Sequence, residues 1–251
     1  MATLIRDDGE GARRQRRAQR GLSLLLARDV RKLRRLIIPS RLQDTVPDWI
    51  EAVRELVGEY GSASAAAAAD FYDAERVAAQ VTGRFTVPLL DPPPDEQVEA
   101  SLRWATKDVW PRAPDNPDTT DAQRAPLEAR LEAAEKKAEA VAQKLVTDQG
   151  RGTVQAAVQQ DRMAIGYARA AALGACAFCR LLATRGMVYK QNTADFRAHD
   201  GCNCGVIPVF KGQRFELSDH AREWDQLYRE YAAPFPGDQL RRFRRAVAEH
   251  G

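Results

Sequence analysis

ACAFCRLLATRGMVYKQNTADFRAHDGCNCGVIPVF, residues 175–210, holds all four cysteines of the chain and one of its three histidines. Cys176 and Cys179 are spaced C-x2-C, and His199, Cys202 and Cys204 follow as H-x2-C-x-C. Two thiolates at the first spacing share one tight turn with both sulfurs facing a tetrahedral ion, and the second group closes the site. Zinc takes four ligands and five are offered, so one is spare or supports the others. Cys176, Cys179, His199 and Cys202 form the preferred set, with Cys204 able to replace His199. Gly201 and Asn203 suit the positive φ that such a turn needs. Two short strands, one from Met187, Val188 and Tyr189 and one from Val206 to Phe210, are expected to pair across the ion. So few apolar residues cannot form an independent core, and metal binding would supply folding energy directly.

The remainder of the chain bounds this module. Its 251 residues allow one large or two small domains. A hydrophobic share of 44%, a charged share of 29% and only 7% aromatic residues suit a helical protein with exposed faces and a modest core. No apolar run approaches the length of a membrane span, and the basic N-terminus does not lead into a secretory signal. A cytoplasmic origin is therefore expected. Thiols there are kept reduced, which favours metal over disulfides for four clustered cysteines. The net charge of +3 is unevenly placed: residues 1–36 carry 11 Lys and Arg against 4 Asp and Glu, leaving 27 against 31 elsewhere. Arg13, Arg14, Arg16, Arg17 and Arg20 concentrate that surplus. They are candidates for contact with DNA or another acidic surface, and equally suit a solvated arm.

Hydrophobic periodicity makes nearly everything else helix. Leu22, Leu26, Val30, Leu33 and Ile37 recur at steps of three and four up to Pro39, and Trp49, Val53, Leu56 and Tyr60 follow behind Asp44 and Pro47, a candidate cap and first-turn proline. The small residues from Ala63 to Ala69, leading to Phe71, Tyr72 and Val77, let another helix approach closely. Pro88–Pro94 is a stiff extended link. Val98, Leu102, Ala105 and Val109 resume the pattern. Leu127, Leu131, Ala134, Ala138, Val141 and Leu145 alternate steps of four and three, as in a helical hairpin or a coiled coil with another subunit. Gly150 and Gly152 are expected to end that helix, and a further one carrying Val154, Val158 and Ile165 leads to Cys176. Ser218 is a candidate cap for a helix carrying Trp224, Leu227 and Tyr231, and Leu240, Phe243 and Val247 form a last one.

The expected fold is mainly α, a helical bundle or long helical hairpin with a small cysteine-rich, zinc-stapled α+β module near the C-terminus. Its parts are an N-terminal helical region with a basic arm (1–90), a long helical hairpin region (95–172), the Cys/His module (173–212) and C-terminal helices (213–251). No P-loop, GxSxG elbow, HExxH pair or dinucleotide fingerprint occurs. His199 beside Cys202 or Cys204 offers sequence neighbours at a turn, not the nucleophile, base and orienter that covalent catalysis assembles in space. Any DNA contact would be directed at the backbone and sensitive to salt.

CAFCRLLATRGMVY followed by FRAHDGCNCGVIPVF resembles the C-terminal motif of MuF-like head-morphogenesis proteins, minor capsid proteins of tailed phages, especially those of actinobacterial hosts. The shared pattern falls on Cys176, Cys179, His199, Cys202 and Cys204 and covers about a fifth of the chain. The resemblance implies a structural protein incorporated in few copies, inside the head near the portal and packaged DNA, and made in the host cytoplasm. It implies the portal protein or the major capsid protein as partners, with an oligomer through the heptad helix as a further expectation. Some relatives are labelled capsid maturation proteases, and processing of scaffold or capsid protein is the alternative activity.

Overall fold

The computed structural model describes residues 3–110, 116–187, 202 and 204–251. In chain order the elements are β1 (Thr3–Arg6), α1 (Glu10–Leu33), α2 (Leu42–Ala78), α3 (Asp95–Thr106), α4 (Asp121–Arg124), α5 (Leu127–Gln160), β2 (Ala164–Ala170), α6 (Ala177–Ala183), β3 (Gly205–Phe210), β4 (Gln213–Glu216), α7 (Asp219–Tyr231) and α8 (Gln239–His250). The protein is mainly helical, as expected. Among the described residues no helix is long and apolar enough to cross a membrane. The chain divides into two compact units, one of Met1–Arg20, Ala65–Leu90 and Gly150–Gly251, the other of Gly21–Ser64 and Asp91–Gln149.

The second of these is a helical core made by the periodic stripes. Leu26 and Val30 of α1, Trp49 and Val53 of α2, Leu102 of α3 and Leu131 of α5 are buried in one cluster. Each such side chain contributes about 1.5–3 kcal/mol by leaving water. Helix α2 begins at Leu42, before the expected cap: Thr45, not Asp44, takes a backbone N–H, that of Ile38 at 3.1 Å. Asp44 instead pairs with Arg41 at 3.1 Å on the surface. Tyr60 donates its hydroxyl to Asp29 at 2.7 Å.

The first unit contains both sheets. β2 and β3 are antiparallel, with Tyr167 opposite Pro208 and Ala168 opposite Ile207, whereas β1 and β4 are parallel. Two expectations fail here. Helix α5 does not stop at Gly150 or Gly152 but continues to Gln160. A glycine costs a helix interior only about 1 kcal/mol, and at Gly152 the bare backbone is used for packing: a Cβ there would lie 2.3 Å from Leu90 Cδ2. Of the expected second helix, Val154 and Val158 are helical but belong to α5, and only its end at Ile165 is instead strand β2. β3 falls where a strand was expected, but its described partner is β2; Val188 and Tyr189 lie outside the described residues.

The small-residue stretch of α2 buries Ser64, Ala65 and Ala68 and exposes Ala63 and Ala66, so one face is in contact and the other in water. Further along, Val77 is 77% exposed, and the inward positions are taken by Phe71, Tyr72, Glu75 and Arg76. Glu75 lies against α1 at Gly11, where a Cβ would meet its carboxylate oxygen at 1.7 Å. Burial pushes the Glu75 carboxyl above its ordinary value, with the charge of Arg14 opposing. A folded pKa above the unfolded one favours the native state at low pH, and that contribution is lost as pH rises through the folded pKa. Glu75→Gln keeps the shape without the charge. It is expected to raise Tm at pH 7 and change it little at pH 4 in paired thermal melts; a lower Tm at pH 7 would contradict this account.

Candidate functional site

The cysteine module is assembled from three pieces of chain. Helix α6 starts at Cys176, whose extended backbone makes it the N-cap and whose Sγ accepts the Cys179 N–H at 3.5 Å. One turn on, Cys179 points inward. Cys202 and Cys204 lie on the segment that enters β3. The Sγ atoms of Cys179, Cys202 and Cys204 lie within 4.8 Å of one another, and all three residues are buried. Cys179 and Cys202 are 3.4 Å apart at sulfur, well beyond the roughly 2.05 Å of a disulfide bond. Tetrahedral zinc with bonds of about 2.3 Å sets its sulfurs about 3.8 Å apart, so the cluster has the dimensions of a thiolate metal site. Three buried cysteines this close together can bind a metal ion.

Of the five expected ligands the structure therefore brings three together and keeps Cys176, which is exposed, one N–H···S contact away. His199 lies outside the described residues, as do Gly201 and Asn203. Cys204, the substitute ligand of the sequence reading, belongs to the cluster itself.

Mutual hydrogen bonds divide the protons among the three thiols. Those from Cys179 and Cys204 hold Cys202 well below the ordinary thiol value against the cost of burial, and the Arg151 guanidinium helps. Hydrogen bonds to Cys202 and Cys204, and then burial, push Cys179 up. For Cys204 the bond with Cys179 pulls down, while the bond with Cys202 and burial push up, to about 12. A metal held here would displace the protons and be bound by the sulfurs as thiolates.

Two buried arginines, not foreseen from the sequence, face this charge. Arg151 of α5 donates from Nε to the Cys204 carbonyl at 2.8 Å and from its terminal nitrogen to the Cys202 carbonyl. Arg169 of β2 is 1% exposed, and its charge favours the Cys204 thiolate. The two guanidiniums place positive charge beside a cluster whose sulfurs carry negative charge as thiolates. The module also shares its core with the C-terminal helices: Trp224 of α7 and Phe243 of α8 are buried in the same cluster as the cysteines.

The basic residues of α1 are helical, and Arg13, Arg14, Arg17 and Arg20 are exposed. Arg13, Arg16, Arg17 and Arg20 line a cleft of about 770 Å³ together with Ala172, Gly174, Ala175 and the four cysteines. Arg14 does not line it and lies toward Glu75. Arg16 donates to the Asp7 carbonyl at 3.2 Å.

A serine, a histidine and an aspartate also meet where β1 leads into α1. The Asp7 carboxylate is fully buried and accepts the Ser218 N–H at 2.7 Å and the Ser218 hydroxyl at 2.9 Å, while His220 Nε2 is 3.2 Å from that hydroxyl. Their arrangement is a cap. Ser218 Oγ accepts the Ala221 N–H at the start of α7, and Asp7 approaches the same histidine nitrogen as the serine, so it cannot orient the ring from the far side as a catalytic carboxylate does.

A family model described as VG15 protein matches residues 7–232. The matched span runs from the buried Asp7 through the cysteine cluster and α7. No curated protein and no solved structure matches the chain.

Proposed function

The chain belongs to the VG15 protein family, a phage family, and from that premise we propose that it is a minor capsid protein of head morphogenesis. In this reading the helical body binds the portal or the capsid shell from inside the head, and zinc on Cys179, Cys202, Cys204 and one of Cys176 or His199 staples the C-terminal module. The observation that carries the reading is the buried cysteine cluster: it occupies the motif that resembles MuF-like proteins, within a family match that spans both compact units. A module so held stays folded in an assembling head without a large core of its own.

The test is loss of the gene in the phage that encodes it. Purified heads from wild-type infection are expected to contain the chain in far fewer copies than the major capsid protein, and infections without it to yield aberrant or unfilled heads by electron microscopy. Normal, infectious particles without the chain would overturn the proposal. Co-expression with scaffold and capsid protein separates the protease alternative: cleavage that disappears in Cys202→Ser or His199→Ala while the fold survives would replace the structural role with an enzymatic one.

A further inference from the structure

We propose that the cleft between the basic face of α1 and the cysteine module is a groove for the phosphodiester backbone of nucleic acid, complete only when the module carries its metal. The inference rests on the metal-stapled reading above, and adds to it a ligand and a coupling between two features that the sequence presents separately.

The ligand follows from the charge. Arg13, Arg16, Arg17 and Arg20 are spaced i, i+3, i+4 and i+7, which sets them on one face of the helix. From first to last they span about 10 Å at 1.5 Å per residue, so that their long side chains reach neighbouring phosphates of a nucleic-acid backbone. Several other arginines are paired locally, Arg54 with Glu51, Arg103 with Glu99, Arg229 with Asp225 and Arg241 with Asp238. Arg13, Arg17 and Arg20 are exposed and form no ion pair among the described residues. Among the described residues no acidic side chain lines the cleft. Three guanidiniums lining one concave surface with no ion pair among the described residues select a repeating anion, and a backbone of phosphates supplies one without sequence preference.

The coupling follows from the opposite wall. It consists of Ala172, Gly174 and Ala175, small enough for close approach, and then the cysteines. Cys179 belongs to α6, and Cys202 and Cys204 to a segment more than twenty residues further on, so a shared metal fixes the distance between the two halves of that wall. Arg151 holds the Cys202 and Cys204 carbonyls from the interior side, and of the α1 arginines Arg16 is the one engaged with Asp7 and near Cys204, while Arg13, Arg17 and Arg20 face the cleft without an ion pair among the described residues.

The experiment is fluorescence anisotropy of a short labelled duplex of arbitrary sequence with the full chain, zinc-loaded or chelated. For three phosphate contacts the affinity is expected to fall about fortyfold between about 50 and 200 mM salt, and in Arg13→Ala/Arg17→Ala, with one contact left, only about three- to fourfold. Arg244→Ala/Arg245→Ala, which removes the same charge from α8, is expected to keep the wild-type salt dependence. Chelation is expected to weaken binding at least tenfold, with recovery when zinc is restored. Equal effects of the two double variants overturn the groove. Arginine-dependent binding that survives chelation overturns the coupling, and capture of an acidic peptide in preference to the duplex overturns the ligand. A chain that carries zinc but ignores the duplex refutes this inference and leaves the head-morphogenesis reading standing; a chain without metal refutes the staple itself.

Discussion

Replacing Cys202 with serine is expected to release the metal and unfold the C-terminal module locally. Cys202 is buried beside Cys179 and Cys204, and its carbonyl also receives the guanidinium of Arg151. Structural zinc contributes on the order of 10 kcal/mol of apparent binding free energy to small modules, far more than the few apolar side chains around the cysteines can replace. A serine hydroxyl is a poor substitute for a thiolate ligand, and the three-sulfur cluster becomes a pair. Limited proteolysis should then cut within residues 171–251 while fragments from 21–64 and 91–149 persist, because the core of Leu26, Trp49, Leu102 and Leu131 contains no part of the module. Cys176→Ser should be milder, since that thiol is exposed and outside the cluster. A Cys202→Ser chain as resistant to protease as the wild type would show that the cysteines are packing residues and not a staple.

The next largest effect is expected at Asp161, where α5 gives way to β2. Its carboxylate is buried and accepts the Arg76 Nε–H at 2.7 Å, the Tyr72 hydroxyl at 3.2 Å and the Met163 N–H at 2.9 Å. Arg76 also lies over the Phe85 ring, 5.3 Å from its centroid. Breaking a buried ion pair from one side costs about 3–5 kcal/mol, because the remaining charge keeps its desolvation penalty and loses its partner. Asp161→Ala should therefore lower Tm by roughly 10 °C, at about 2–4 °C per kcal/mol for a chain of this size. The apolar replacement Arg76→Met/Asp161→Leu should recover part of the loss. A fall below about 1 kcal/mol in urea denaturation of Asp161→Ala would place the pair in water instead.

These two sites differ in how far the sequence exposes them. The cysteine cluster is legible because cysteine and histidine are rare and here closely spaced, at the spacing a metal site would impose. The helical stripes are legible for a similar reason: Leu131, Ala134, Ala138 and Val141 are all buried along one face of α5. Asp161 and Arg76 carry no such mark, since a charged residue is assigned to solvent until its partner, 85 positions away, is known. Arg151 and Arg169, which face the thiolates, escape for the same reason.

Strand β2 is hidden differently. Six of its seven residues are buried on both faces, so no period-two alternation distinguishes AIGYARA from a helix, and its partner β3 lies some forty residues on. Local pattern cannot supply a non-local pairing. Gly152 shows the reverse error: a helix breaker by propensity, it sits mid-helix because Leu90 needs the room.

The arginines of α1 lie between these cases. Their clustering is plain in the sequence, and so is the surplus of positive charge. What cannot be read there is that four of them share a cleft with the cysteines, because that adjacency joins residues more than 150 positions apart.

The central claim is that the cysteine module is a metal staple, and the zinc content of the chain, purified under reducing conditions without added metal, tests it most directly. Elemental mass spectrometry is expected to give one zinc per chain. A folded chain with no bound metal would contradict it.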